Sequence, residues 1–452
     1  MALAALMVVG LIACQQSKAP AGPPAVPTPV PGASDEAKAP APQGGDNAGA
    51  PSAPVESLEG ELTIFSWWTA GGEADGLAEL IKVFEQKYPK VKVVNAAVAG
   101  GAGTNAKAVL KTRMLGGDPP GTFQVHGGSE LIETWVDAGL MAPITNLFAL
   151  EGWKSAFPEQ LVDMVSKDGE IYAVPSNVHR GNMLWYNKAV FDKAGVAAVP
   201  TNFDEWIAAC EKIKATGVTP LALASRNKWP VLHLFENLLV EAGGTDFYRE
   251  LFAGKVPWTD ARVKTALEHL AALLKYVNKD HAALTWDQAS GQVQQGKAAM
   301  NVMGDWAKGY YTAQGWKPGE EYDAAPTPGT GGVFFVVTDT FGLPAKAPNP
   351  DLTRAFLKVV GSVEGQLNFN PKKGSIPART DVPRGAFDVI AQRTMDDFAK
   401  DTLVPSAAHG SAVKEAFVVE MNDALSVFLS RKNVDKTASA LQQAASDTGV
   451  VQ

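Results

Sequence analysis

Residues 61–93, ELTIFSWWTAGGEADGLAELIKVFEQKYPKVKV, decide the fold. Leu62 to Phe65 read as a short strand because apolar residues lie between turn signals, and a helical period sets in at Leu77, Leu80, Ile81 and Phe84. The strand ends at Trp67 and Trp68, a loop with Gly71 and Gly72 follows, and Val91 to Val94 alternates as a second strand after the helix. In an open α/β sheet this geometry presents ligand-contacting residues beyond the carboxyl ends of the strands. Neighbouring residues of an extended segment point to opposite sides, so both indoles cannot face one core, and at least one lines a loop or cleft.

Upstream, MALAALMVVGLIACQQ is a short apolar run that closes on Leu11, Ile12, Ala13 and Cys14. It reads as an export signal, too short to span a bilayer as a mature helix. Leu-Ile-Ala-Cys resembles the bacterial lipobox, in which the cysteine is lipidated and becomes the first residue, although no Lys or Arg precedes the run. Residues 15–58 are dominated by Ala, Pro and Gly and cannot bury enough apolar surface to fold, which suits a disordered tether. The other cysteine, Cys210, then has no partner for an intrachain disulfide.

Downstream, 59–452 is more chain than one core usually serves, so two lobes are expected. The net charge of -8, with acids and bases interspersed, argues against nucleic acid as a partner. Strand and helix patterns alternate. Phe123 to Val125 is a short strand delivering Gln124 and His126 into the Gly127-Gly128 turn, with Ser129 placed to cap a helix. Asp168 to Asp192 holds a long extended run through Pro175, His179 and Arg180, followed by a strand at Met183 to Tyr186. Helices are expected from Phe203 to Ile213 and over 230–252, 260–279 and 286–296. A strand at Ala299 to Met303 again ends at a tryptophan, Trp306, and helices cover Leu352 to Val360 and Val363 to Asn368. Pro371 to Pro377 reads as a crossing between lobes, and the C-terminal portion as helices on the second lobe.

No catalytic constellation stands out. GxSxG, HExxH and P-loop spacings are missing, and GAGTNA lacks the lysine of a phosphate cradle. The six histidines have no close ligand spacing, although His269 and His281 could share a surface. No enzyme, metal or cofactor is therefore expected. What is enriched is aromatic chemistry: of 11 Trp, four stand at loop positions, Trp67, Trp68, Trp286 and Trp306, whereas Trp135 and Trp206 lie at helical spacing and read as core. A pyranose has apolar faces and a hydroxyl rim, so its site needs flat rings with charged or amide groups around them.

The lipobox and tether, the opening stretch, GGDPPGTFQVHGGSELIETWVDAGLMAPI (116–144), DGEIYAVPSNVHRGNMLWYNKAVFDKAG (168–195), QGKAAMNVMGDWA (295–307) and AFLKVVGSVEGQLNFNPKKGSIPAR (355–379) together resemble the bacterial extracellular solute-binding proteins of carbohydrate ABC importers. The paired tryptophans, His126 after Gln124, and His409 resemble its glucose/mannose-binding branch. The resemblance implies an α/β periplasmic-binding-protein-like type II fold, two lobes joined by a multi-crossing hinge with the ligand in the cleft between them. The division expected is a signal peptide over 1–14, a tether over 15–58, one lobe from 59–174 plus 330–372, and the other from 175–329 plus 373–452, with crossings near 174, 330 and 373.

The ligand positions carried over are Trp67, Trp68, Glu73, Gln124, His126, Trp286, Trp306, Asp339, Lys372 or Lys373, and His409, with Asp305 and His179 left between cleft and support. The implied function is a monomeric lipoprotein receptor, anchored through Cys14 at the periplasmic or cell-surface side of a membrane. It binds one monosaccharide such as glucose, mannose or galactose and hands it to ABC permease subunits. The alternatives are a receptor of the same fold for an oligosaccharide or polyol, and an exported enzyme, which would need an acid and base pair that the sequence does not offer.

Overall fold

The computed structural model describes residues 58–99 and 103–451. The export signal, Cys14, the tether and most of the expected Gly100–Gly103 turn lie outside the described residues.

Gly60–Phe65 is a strand whose Leu62, Ile64 and Phe65 are buried, and it pairs in parallel with Val91–Asn95 on one side and Thr122–His126 on the other. Helices Gly71–Lys87 and Thr104–Leu115 make the crossovers. Asp339–Pro344 then joins antiparallel to Thr122–His126, with Asp339 opposite His126. Parallel strands end at a common edge and an antiparallel neighbour begins there, so this register brings the tryptophans, His126 and Asp339 to one rim of the sheet.

A second sheet runs in the order Thr219–Ala222, Ala298–Val302, Met183–Asn187, Tyr322–Pro326, and its faces carry the remaining apolar residues. A three-stranded sheet lies between the two cores: Val333–Val337 pairs with Thr402–Pro405 and with His179–Arg180. Along it Phe334 and Val336 pack with the first core and Val333 and Phe335 with the second, the period-two alternation of a strand buried on both faces. The two-lobed α/β expectation holds.

Several details differ from the sequence reading. Gly71 and Gly72 open a helix instead of forming a loop. A Cβ on Gly72 would stand 2.4 Å from the Lys372 carbonyl oxygen and 2.8 Å from the Gly309 backbone, so these glycines permit close helix packing. Ser129 makes no capping bond; Gly128, at φ 97°, occupies that position. The helix expected to stop at Asn368 continues through Pro371 to Lys373 and ends at Gly374, φ 94°. The side-by-side passages are found at Val178 against Ile376 and at Val337 against His179. Ile376, Ala378, Val382, Phe387 and Ala391, expected on the second lobe, pack in the first core. Thr402–Pro405, a strand too short to announce itself among helices, was not expected. His269 bonds Glu241 at 2.7 Å and His281 bonds Ser225 at 2.8 Å, so the two share no surface site.

Candidate functional site

A cavity of about 470 Å³ opens where the first sheet's rim meets the second core. Trp67 is half-buried there, its ring 5.1 Å from that of His126 and beneath the Lys107 ammonium. Trp68 is 1 % exposed, packed against Phe341 and Phe369, and borders the cavity with Lys373 Nζ 5.1 Å from its ring centre. The adjacent tryptophans thus divide, Trp67 half-buried at the cavity and Trp68 packed in the first core.

Asp339 is the hub of the polar floor. It is 3 % exposed and takes Gln124 Nε2 at 2.7 Å on Oδ1 and Asn177 Nδ2 at 2.8 Å on Oδ2. His179 Nε2 stands 3.3 Å away, His126 Nε2 3.7 Å and Lys373 Nζ 3.8 Å. Burial pushes the Asp339 carboxyl up, but Lys373, His179 and His126 outweigh it and hold the group well below the usual carboxylate range. Lys373 also pairs with Glu73 at 2.9 Å, and Glu73 and Asp339 keep the ammonium above its ordinary value in spite of burial. His179 bonds Asp305 through Nδ1; burial and Lys373 disfavour its charge, while Asp305 and Asp339 favour it and prevail.

Beside this floor, His126 Nδ1 meets Glu130 at 2.9 Å and Lys107 bonds the same oxygen at 2.6 Å. Burial raises Glu130, yet Lys107 and His126 bring its carboxyl down to about 2. The far wall is aromatic: Trp306 stands edge-on to His179 at 5.2 Å and to His409 at 4.8 Å, and Trp229 lies 5.3 Å from His409. Trp286, half-buried at the start of helix Trp286–Gln294, completes it. Each cation of the floor is matched by a carboxylate, so the cavity is suited to an uncharged, hydroxyl-rich ligand with an apolar face.

Of the residues named from sequence, Trp67, Trp68, Glu73, His126, Trp286, Trp306, Asp339, Lys373 and His409 line this cavity. Two do not. Gln124 lies behind it, 1 % exposed, bonding Asp339 and accepting the Trp67 N–H at 3.3 Å. Lys372 is exposed outside it, because the helix carrying both lysines turns only Lys373 inward. Trp306 is only 6 % exposed and belongs to a core cluster as well as to the cavity. Trp135, read as core, is 3 % exposed against Phe123 and also borders the cavity. Not named from the sequence, Lys107 and Trp229 also line the cavity, and Glu130, Asn177 and His233 stand behind its wall, bonded to His126, Asp339 and His409. Trp229 and His233 were discoverable, being four apart on one helix face, but the apolar surroundings of that helix mask them. Among the described residues no group of three His, Cys, Asp or Glu side chains is placed to hold a metal ion.

The family model of bacterial extracellular solute-binding proteins matches residues 63–367. The chain belongs to that family. Relatives of this solute-binding protein include an uncharacterized ABC transporter extracellular-binding protein of Pyrococcus horikoshii, 45% identical over 84% of this chain and 86% of that one. A probable sugar-binding periplasmic protein of Brucella melitensis is 36% identical, over 80% and 88%. The xylose/arabinose-binding protein of Haloferax volcanii is 31% identical, over 87% and 86%. Among solved structures, the bacterial solute receptor AcbH superposes with a TM-score of 0.77 at 21% identity, covering 87% of this chain and 99% of that one. At that identity it speaks to the fold, which is the two-lobed type II arrangement. As a solute-binding protein of an ABC importer, the chain binds its ligand without transforming it.

Proposed function

We propose that this solute-binding protein is the receptor of a carbohydrate ABC importer and binds a single neutral monosaccharide, glucose, galactose or mannose, for delivery to the permease. The observation that carries this is the pairing of indole rings with the charge-balanced hub at Asp339 in one cavity. Trp67 and Trp306 offer flat surfaces for the sugar's C–H faces, and Asp339, Lys373, His126 and His409 meet its hydroxyls. A carboxylate has about four acceptor sites, so Asp339 retains capacity for ligand O–H groups beyond Gln124 and Asn177. Similarity to the xylose/arabinose-binding protein of Haloferax volcanii and to the glucose-binding protein of Saccharolobus solfataricus, the latter 24% identical over 63% of this chain and 54% of that one, supports a small sugar. The glucose/mannose branch is the finer form of the proposal. The two lobes, in this reading, close about the passages near 178, 337 and 376, with 59–174 and 330–372 on one side and most of 175–329 and 392–452 on the other.

Replacing Trp306 with Ala is expected to weaken sugar binding by about 2 kcal/mol or more, read by calorimetry. Because Trp306 is also core, its melting temperature falls too, and Trp306→Phe, which keeps a ring, should restore stability before affinity. Wild-type affinity in Trp306→Ala would contradict the site. A second reading, an oligosaccharide or polyol receptor, is favoured by an adjoining cavity of about 500 Å³ that shares Thr104, Val419 and Asn422 with the first. Tighter binding of a disaccharide than of any hexose would select it. Anchoring through Cys14 on the periplasmic side or cell surface belongs to the same proposal. A Cys14→Ser protein should lose its partition with membranes, and equal partition of both forms would refute the anchor.

A further inference from the structure

The loop 406–411 opens the connection, 406–414, from strand Thr402–Pro405 to helix Glu415–Arg431 and carries Ala408 and His409 into the cavity wall. One carboxylate holds its first half. Glu236, fully buried on helix Trp229–Phe252, accepts from the Ser406 hydroxyl at 2.7 Å, the Ala407 N–H at 2.8 Å, the Ala408 N–H at 3.0 Å and the Tyr248 hydroxyl at 3.2 Å. One turn earlier on the same helix, His233 Nδ1 lies 3.2 Å from His409 Nε2. The loop's second half is held by the first core, where the Ser129 and Glu130 N–H groups donate to the carbonyls of Ser411 and Gly410 at 3.2 and 2.9 Å. That seam is tight: a Cβ on Gly128 would come within 2.5 Å of the Ser411 carbonyl oxygen.

We infer that Glu236 is a positioning residue for ligand binding, setting the place of His409 through the loop it grips without itself touching the sugar. The inference rests on the reading of His409 as a ligand contact. An ionised carboxylate only accepts, and all four groups converging on Glu236 donate; a Gln offers one acceptor oxygen and turns its own donors toward the rest. Among the described residues no Lys or Arg pairs with it. The titratable groups facing it are Tyr248 from its own helix, His233 at 3.6 Å, and His409 behind His233. Burial pushes the Glu236 carboxyl up to about 7, whereas burial takes His233 down to about 4 and His409 well below its ordinary value. The ionised form is the one that holds the loop, so affinity is greatest well above neutral pH and declines as Glu236 takes up a proton on the way down through about pH 7.

The test is calorimetry on the full chain with D-glucose and D-galactose between pH 6 and 8. Glu236→Gln is expected to bind at least about 10-fold more weakly at pH 8 and to lose the wild-type decline toward pH 6. Combined with His409→Ala it should add nothing to the loss that His409→Ala causes alone, because the two act through one contact. Should Glu236→Gln fail to fold, Tyr248→Phe removes a single donor and is expected to weaken binding about 3-fold, again with no further effect in the His409→Ala background. Wild-type affinity and pH profile in Glu236→Gln, wild-type affinity in Tyr248→Phe, or additive losses in the double variant would overturn the inference alone. An unaffected His409→Ala would overturn the proposed site together with it.

Discussion

At Asp339 a single buried carboxylate collects one amide from strand Thr122–His126, one from the link between strands Ala173–Pro175 and His179–Arg180, an imidazole and an ammonium. Its removal takes from the buried Lys373 and His179 one of their two counter-charges, leaving Glu73 and Asp305, and deprives the Gln124 and Asn177 amides of their acceptor. Asp339→Ala is therefore expected to lower stability by about 3 to 5 kcal/mol, measured by denaturant titration, as well as to abolish binding. The histidines of the opposite wall impose a pH dependence of known sign. His233 and His409 are held below the ordinary imidazole value by burial, so the unfolded chain takes up protons that the folded chain refuses. Their contribution is full above about pH 6.5 and is lost as pH falls toward 4. For His233 alone this amounts to at most about 3 kcal/mol. His179, held above its ordinary value, contributes in the other direction: stability present below about pH 6.5 and lost as pH rises through the raised value. The buried Glu236, whose carboxyl burial pushes up to about 7, acts in the same direction as His179, so a melting temperature that rises from pH 7 to pH 5 would mean that these two outweigh His233 and His409.

The elements show why some of the site was readable and some was not. The strand ending at Trp67 and Trp68, the strand ending at His126 and the tryptophan after the Ala298–Val302 strand follow from hydrophobic period and turn residues, which are local. Asp339 beside His126 depends on an antiparallel register between segments more than two hundred residues apart, and only family resemblance put it in the site. Lys372 and Lys373 are adjacent, and which of them faces the cavity follows from the rotation of a helix that continues through Pro371, where local rules would end it. Gly71 and Gly72 look like punctuation but serve packing: Gly72 meets the Gly309 backbone, and a Cβ on Gly309 would come 2.5 Å from the Lys373 carbonyl oxygen. Gly72→Ala is accordingly expected to cost about 1 to 3 kcal/mol, seen as a lowered melting temperature, and to disturb the Glu73 to Lys373 pair next to it. An unchanged melting temperature would show that these helices can part without penalty.

Across the whole molecule, two cores meet at a strand shared by both, and the cavity takes residues from each side of that seam. A ligand contacting both sides favours the arrangement in which they are close, so saturating sugar is expected to reduce the radius of gyration in small-angle scattering; no change would refute closure. The central claim, that one neutral monosaccharide occupies the Trp67, Trp306 and Asp339 cavity, is tested most directly by titrating the protein calorimetrically with glucose, galactose, mannose and a disaccharide, alongside the Asp339→Asn variant. The account predicts one-to-one binding of at least one hexose, weaker or no binding of the disaccharide, and no detectable hexose binding by Asp339→Asn. Hexose binding that Asp339→Asn leaves intact, or binding of the disaccharide alone, would contradict it.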